Sequence, residues 1–325
     1  MRRLNVLYLP HPQPQIARPW GQDVLEAISA YHHVKVFDPA LPAEGQFEGI
    51  EAVVDLGGNI QDDLINVAAR AGVRFLQAQT NGLDHVKVDE ILTAGITLAH
   101  CPGHLSSVAL AESAMMFILV LAKRYDEACS NFARGHFYAP IGQELAGLTL
   151  GIVGFGAAGQ DLARRARAFD MRIVTNDIRT IEPEILDEIQ PDFIGGADDL
   201  DHVVAESDYL SLHLHLTQTT RHILDARRIA LMKSTACVIN VSRGGLADED
   251  ALYEALLAGH LRGAGLDVFD KEPPDLAHPV YALSNVCVTP HVGGGTDGTS
   301  RKRAAFAATN LDRWAKGEPL EAQVR

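Results

Sequence analysis

The sequence predicts an α/β fold with two doubly wound parallel-sheet domains, and three observations lead to that prediction. Its 325 residues are enough for about two domains, each with its own core. Short apolar runs alternate with amphipathic runs along most of the chain, as in parallel sheets whose strands are joined by helices. One apolar run, Leu148–Val153, leads directly into a glycine-rich turn and a helix-forming segment.

The first domain is predicted to comprise residues 1–101 and 294–325. Its expected strands are 4–9, 34–37, 52–56, 75–77 and 96–99, and its expected helices are 23–30, 62–71, 89–94 and 299–316. No strand follows the last helix, so we expect it to cross back and pack on this domain. A turn at Gly57 and Gly58 follows the third strand, where backbone N–H groups are suited to a carboxylate, although an ordinary turn explains the glycines equally well.

The second domain is predicted to comprise residues 102–293. It begins with a long helix from Val108 to about Phe132, whose apolar first half suits a domain junction or a subunit interface. Strands are expected at 148–153, 171–175, 209–212, 236–240, 263–267 and 286–289, and helices at 160–169, 200–205, 226–232 and 248–258.

The segment from Gly154 to Gly159 has the spacing G-x-G-x-x-G between a strand and a helix. Gly154 permits a sharp turn, Gly156 lets the backbone approach a diphosphate, and Gly159 lets the helix pack closely on the strand. The N–H groups of Ala157 and Ala158, in the first helical turn, would face the phosphates. The segment therefore predicts a dinucleotide site, the alternative being a strand–turn–helix unit whose glycines serve packing alone.

Asp177 lies eighteen residues beyond Gly159, at the end of the next predicted strand. A carboxylate at this position accepts hydrogen bonds from the ribose hydroxyls of NAD and repels the 2′-phosphate of NADP. NAD is therefore the predicted cofactor. Arg179, two residues later, keeps an NADPH-preferring reductase open as an alternative.

The composition argues against several classes of partner. Forty-two acidic and 28 basic residues give a net charge of −14, which disfavours nucleic acid and anionic membranes. The N-terminal apolar run is too short for a signal peptide, and the apolar stretch 108–122 is too short to span a bilayer. The four cysteines are widely separated, which predicts neither a metal site nor a disulfide framework. We expect a cytoplasmic protein that binds small molecules.

Arg243, Glu272 and His291 each come a few residues after a predicted strand of the second domain. Because the carboxyl ends of parallel strands meet at one edge, we expect all three beside the dinucleotide. Each alone is equally well explained as a surface charge or an ordinary histidine. Together they supply what reduction of a 2-oxo acid requires: a guanidinium for the carboxylate, an imidazole as proton donor, and a carboxylate that stabilises the protonated imidazole.

These motifs resemble those of the D-2-hydroxyacid dehydrogenases. The most specific matches are Asn240–Gly245 (NVSRGG), Leu266–Pro273 (LDVFDKEP) and Thr289–Gly294 (TPHVGG), and the resemblance covers most of the chain. It implies a flavodoxin-like substrate domain, a Rossmann nucleotide-binding domain, and a homodimer joined through the long helix.

The resemblance also implies residue roles. Arg243 would bind the substrate, Glu272 would pair with His291, and His291 would be the acid/base catalyst. The further implied roles are binding of the substrate carboxylate by backbone at Gly57 and Gly58, and cofactor binding by His213 and Asp267.

Two departures from the family pattern stand out: His215 occupies a position where proline is usual, and the segment 104–110 lacks a common asparagine. We therefore expect local differences in a cofactor-side loop and in substrate contacts. An NAD(H)-sensing binding protein similar to the related corepressors remains an alternative to an enzyme. Glyoxylate, hydroxypyruvate and phosphoglycerate-like acids all remain open as substrates.

Overall fold

The computed structural model describes residues 2–11, 14–58 and 60–325. The chain forms two compact units, Met1–Leu105 with Gly295–Arg325, and Ser106–Gly294. Each unit is built on one parallel sheet whose strands are joined by helices. The predicted fold class of two parallel-sheet α/β domains is thus confirmed.

The first unit contains a five-stranded sheet with the order β2-β1-β3-β4-β5, the flavodoxin-like order. Its strands are β1 (Asn5–Leu9), β2 (His33–Val36), β3 (Ala52–Asp55), β4 (Phe75–Ala78) and β5 (Thr97–Ala99). Its helices are α1 (Pro14–Ser29), α2 (Ala43–Gln46), α3 (Asp62–Ala71), α4 (Val88–Thr93) and, from the end of the chain, α12 (Asp297–Lys316).

The C-terminal helix α12 packs on α1 within the first unit, as predicted. The hydroxyl of Thr296 caps its start by accepting a hydrogen bond from the Thr299 N–H, and Gly317 ends it in the left-handed conformation. The ring of Trp314 stacks on Phe75 of β4 with 5.2 Å between ring centroids. The last helix of the chain therefore completes the core of the first unit.

The second unit contains a seven-stranded sheet with the order β12-β11-β10-β9-β6-β7-β8. Its strands are β6 (Thr149–Val153), β7 (Arg172–Asn176), β8 (Phe193–Gly195), β9 (Tyr209–Leu212), β10 (Cys237–Asn240), β11 (Gly263–Leu266) and β12 (Val286–Val288). Its helices are α5 (Ser107–Lys123), α6 (Tyr125–Ala133), α7 (Ala157–Arg167), α8 (Pro183–Ile189), α9 (Leu200–Glu206), α10 (Ala226–Ile229) and α11 (Glu249–Leu257). The strand order reverses beside β6, the place where such sheets bind ligands.

The prediction of one helix from Val108 to about Phe132 is wrong. Helix α5 ends at Lys123 and α6 begins at Tyr125, because Arg124 adopts a left-handed conformation with φ +52°. Eight of the 17 residues of α5 are buried, whereas none of the residues of α6 is. In the described part of the chain, none of the helices combines the length and the apolar character that a membrane span requires.

Candidate active site

In the glycine-rich loop between β6 and α7, there is space for a side-chain Cβ at one glycine and none at the other two. Gly154 has φ +92°, and a Cβ there would lie 2.6 Å from the carbonyl oxygen of His213. A Cβ on Gly159 would overlap the carbonyl oxygen of Gly154. A Cβ on Gly156, in contrast, would meet only Nη2 of Arg179, at 3.7 Å. Turn geometry and packing therefore explain the first and third glycines, while the second faces space that a ligand can enter.

The N-terminus of α7 is suited to an anion. Gly156 occupies the N-cap position and has no side chain with which to cap the helix. The N–H groups of Ala157 and Ala158 thus lack a side-chain cap, and the helix dipole places partial positive charge around them. A diphosphate satisfies both features, so the residues present fit the diphosphate of a dinucleotide.

Asp177 follows β7, and its carboxylate is only 7% exposed. Oδ2 accepts a hydrogen bond from the Phe155 N–H at 2.8 Å, and Arg179 donates to both oxygens from its backbone N, Nε and Nη2 at 2.9–3.0 Å. Burial acts to raise the pKa of Asp177, but the hydrogen bonds from Arg179 and Phe155 outweigh it, and the pKa lies below its ordinary value. From the sequence, Asp177 favours NAD and Arg179 favours NADPH, and the ion pair between the two side chains was not predicted.

Arg243 is brought to the loop that carries Glu272. A Cβ on Gly244 would overlap the backbone of Phe269, so only glycine allows the loops after β10 and β11 to lie directly against each other. The side-chain amide of Asn240 donates to the carbonyl oxygen of Arg243 at 2.9 Å and fixes the start of its loop.

Glu272 and His291 form a direct pair. Oε2 of Glu272 lies 2.7 Å from Nδ1 of His291, and Oε1 accepts a hydrogen bond from the Phe269 N–H at 3.2 Å. Burial acts to raise the pKa of Glu272, but the hydrogen bond and charge of His291, the Phe269 N–H and the charge of Arg243 outweigh it, so the pKa is lowered. Glu272 is therefore a carboxylate at neutral pH.

Asp267 is fully buried and holds the loop on which His291 lies. Oδ1 accepts hydrogen bonds from Thr289 Oγ1 at 2.5 Å and from the Val292 N–H at 2.9 Å, and Oδ2 accepts one from the Gly293 N–H at 2.7 Å. His291, between these anchors, has φ +54°, a conformation that costs energy for a residue other than glycine. Sequence reasoning assigned only a cofactor contact to Asp267 and missed its hold on this loop.

His213 follows β9 beside the glycine-rich loop. Nε2 lies 2.8 Å from Oγ of Ser211, while Nδ1 is buried with no hydrogen-bond partner in the described part of the chain. Burial lowers the pKa of His213 to about 4, so the ring is neutral at physiological pH. Its carbonyl oxygen faces Gly154. The structure thus makes His213 a neutral neighbour of the loop.

The turn after β3 in the first unit requires both of its glycines. Gly57 and Gly58 have φ +116° and +74°. The residue that follows them, Asn59, lies outside the described residues. A Cβ on Gly57 would lie 2.9 Å from Cδ2 of His11, and one on Gly58 would lie 2.7 Å from Cδ2 of His85. Sequence reasoning assigned no role to either of these two imidazoles.

Comparison with known proteins gives a consistent result. Residues 115–293 match the family model described as D-isomer specific 2-hydroxyacid dehydrogenase, NAD binding domain. A glyoxylate reductase of Thermococcus litoralis is 33% identical over 322 residues, which cover 94% of this chain and 95% of that protein. A hydroxypyruvate reductase of Thermotoga maritima is 37% identical over 254 residues, which cover 77% of this chain and 76% of that protein.

A solved structure agrees with these relatives. The D-lactate dehydrogenase of Aquifex aeolicus, complexed with NAD and lactic acid, has a TM-score of 0.78 and 26% identity, with 97% of this chain and 96% of that one covered. The family model spans the glycine-rich loop and the three loops that carry Arg243, Glu272 and His291. The family and the cofactor predicted from the sequence are confirmed: this chain is an NAD-dependent oxidoreductase of the D-isomer specific 2-hydroxyacid dehydrogenase family.

Proposed function

We propose that this protein reduces a short 2-oxo acid such as glyoxylate or hydroxypyruvate to the 2-hydroxy acid, with NADH as reductant. The observation that carries the proposal is the 2.7 Å pair of Glu272 and His291, close enough to Arg243 for its charge to lower the pKa of Glu272. The relatives named glyoxylate reductase and hydroxypyruvate reductase support a short substrate.

The three side chains divide the work. Arg243 binds the substrate carboxylate through parallel N–H groups, which also polarise the neighbouring carbonyl. Glu272 engages Nδ1 of His291, so Nε2 is the ring nitrogen left to donate a proton to the carbonyl oxygen. Bound NADH supplies hydride to the carbonyl carbon. In the oxidative direction His291 takes the proton from the hydroxyl group.

The cofactor is proposed to be held by residues of the second unit. The loop of Gly154, Gly156 and Gly159, with the N–H groups of Ala157 and Ala158, holds the diphosphate. Asp177 receives the ribose hydroxyls. His213 lies beside this loop. The carboxamide is assigned to Asp267, whose two oxygens accept three hydrogen bonds where a carboxylate offers about four acceptor sites.

Residues 1–101 and 294–325 are proposed to form the substrate domain, with backbone at Gly57 and Gly58 as its carboxylate-binding groups. Both glycines have positive φ, and the imidazoles of His11 and His85 lie too close for a Cβ at either position, so the backbone of the turn is bare at both residues.

NADH oxidation with glyoxylate, hydroxypyruvate, pyruvate and a bulky 2-oxo acid tests the proposal. We expect turnover with the short acids, and Arg243→Ala should raise their KM at least about a hundredfold, since a bidentate charged contact is lost. Arg301→Ala is the matched control, because among the described residues Arg301 pairs only with Asp297, on the surface of α12. No turnover with any of the acids would contradict the proposal, and an unchanged KM in Arg243→Ala would contradict the role of Arg243.

A homodimer formed through α5 is also proposed, in addition to the small-molecule substrate. An apolar groove beside α5 and α7 has a volume of about 520 Å³. Its apolar lining is Met115, Met116, Leu119, Val120, Ala168 and Phe169. Light scattering should give twice the chain mass, and Met116→Glu should reduce the measured mass. A monomeric wild type would contradict the proposal.

We also propose a cytoplasmic location for this protein. The four cysteines are all free, which suits a reducing compartment.

A further inference from the structure

Ser113 on α5 contacts the loop that carries His291. Its hydroxyl donates a hydrogen bond to the carbonyl oxygen of Gly293 at 3.0 Å. Gly293 is buried, so its carbonyl group needs a partner within the protein. The hydroxyl of Ser113 therefore satisfies a buried backbone acceptor two residues after His291.

The two polar groups of Gly293 are held from two different elements. Its N–H donates to Oδ2 of Asp267 at 2.7 Å, and its carbonyl oxygen accepts from Ser113 on α5. A Cβ on Gly293 would lie 2.6 Å from the same Asp267 oxygen and 3.5 Å from Cβ of Ser113, so the backbone fits closely between them. Gly293 is thus fixed in position on the β11 side and on the α5 side.

His291 depends on such anchors more than an ordinary residue does. Its φ of +54° is disfavoured for a residue with a Cβ. Its ring is exposed, and among the described residues the hydrogen bond that holds it is the one to Glu272. Without the hydroxyl of Ser113 the buried carbonyl would have to turn towards another donor, and the backbone of His291 would turn with it.

We propose that Ser113 is a positioning residue for His291: through Gly293 it fixes the place from which the imidazole delivers its proton. The proposal rests on the proposed role of His291 as proton donor. A displacement of about 1 Å in a reacting group costs up to about a hundredfold in rate, and a lost hydrogen bond of this kind is expected to cost part of that. We expect the loss of this hydrogen bond to lower kcat and not to raise KM, because the proton is transferred only in the transition state.

The test compares Ser113→Ala, Ser113→Thr and Thr309→Ala with the wild type. Ser113→Thr keeps a hydroxyl, and Thr309→Ala removes one that donates to a carbonyl of its own helix, α12. Each variant is assayed for kcat, for KM of the oxo acid, for the dissociation constant of NADH by fluorescence, and for the pH at which the His291 ring titrates by NMR.

We expect Ser113→Ala to lose about tenfold in kcat while the NADH dissociation constant stays within about twofold, because the loop and not the nucleotide site is disturbed. Ser113→Thr should recover most of the rate, and Thr309→Ala should match the wild type. A kcat of Ser113→Ala within twofold of the wild type would overturn the proposal, as would an equal loss in kcat and NADH binding.

The NMR titration separates this proposal from the proposed function. If the wild type reduces no 2-oxo acid, the proposed function fails, and a changed titration of His291 in Ser113→Ala alone would still support the positioning role. An unchanged titration in that case would overturn it.

Discussion

Glu272→Gln is the change that most directly probes the pair at the centre of the site. The substitution keeps the shape of the side chain and removes its charge. Hydrogen bonds to charged groups contribute about 1.5–3 kcal/mol. Since the side chains of His291 and Glu272 are 43% and 38% exposed, solvent screens the pair and we take the lower end, about 1.5 kcal/mol. That free energy corresponds to roughly a tenfold change in rate.

Removal of the carboxylate takes away an interaction that favours the protonated ring. At neutral pH the rate of oxo-acid reduction should therefore be about tenfold lower than in the wild type. Steady-state kcat measured from pH 5 to 9 is the assay, with NADH binding measured alongside as the control. Superimposable pH profiles of wild type and Glu272→Gln would refute the reasoning.

Three further predictions concern the second unit. Burial lowers the pKa of His213 from 6.5 to about 4 in the folded state, so the unfolded chain binds a proton there more readily. The contribution of His213 to the free energy of unfolding should be constant above about pH 6.5 and lower by about 2 kcal/mol at pH 5. Urea unfolding should show a smaller fall in His213→Gln. In Gly159→Ala the new methyl group would overlap the carbonyl oxygen of Gly154, so the urea midpoint should drop by the equivalent of about 1–3 kcal/mol and NADH should bind more weakly; an unchanged midpoint would argue against the tight packing. Arg179 occupies the oxygens of Asp177 that ribose needs, and its own side chain is exposed, so solvent screens the pair and it contributes about 1 kcal/mol. Arg179→Ala should therefore bind NADH up to about fivefold more tightly by fluorescence titration, and weaker binding would contradict this prediction.

Much of the fold was predictable because parallel strands are buried on both faces and must be apolar runs. The exceptions have local causes. Strand β8 and helix α8 are short, and Ile194 of β8 is exposed, so no continuous apolar run marks that segment. The break between α5 and α6 comes at Arg124, and neither glycine nor proline signals the left-handed turn there.

The site was predictable where residue type and strand end coincide, as for Arg243, Glu272 and His291. What escaped prediction depends on contacts between distant segments. The hydrogen bond from Ser113 to Gly293 joins residues 180 apart, and the three hydrogen bonds to Asp267 depend on how the last loop folds back over β11. Sequence patterns do not indicate such contacts, since the contacts follow from tertiary packing.

The claim that His291 is the proton donor is tested most directly by kcat of His291→Ala with NADH and the best 2-oxo acid, measured together with NADH binding. General acid catalysis contributes about a hundredfold to ten-thousandfold, so kcat should fall at least about a hundredfold while the NADH dissociation constant stays within about twofold. A kcat within tenfold of the wild type would contradict the account.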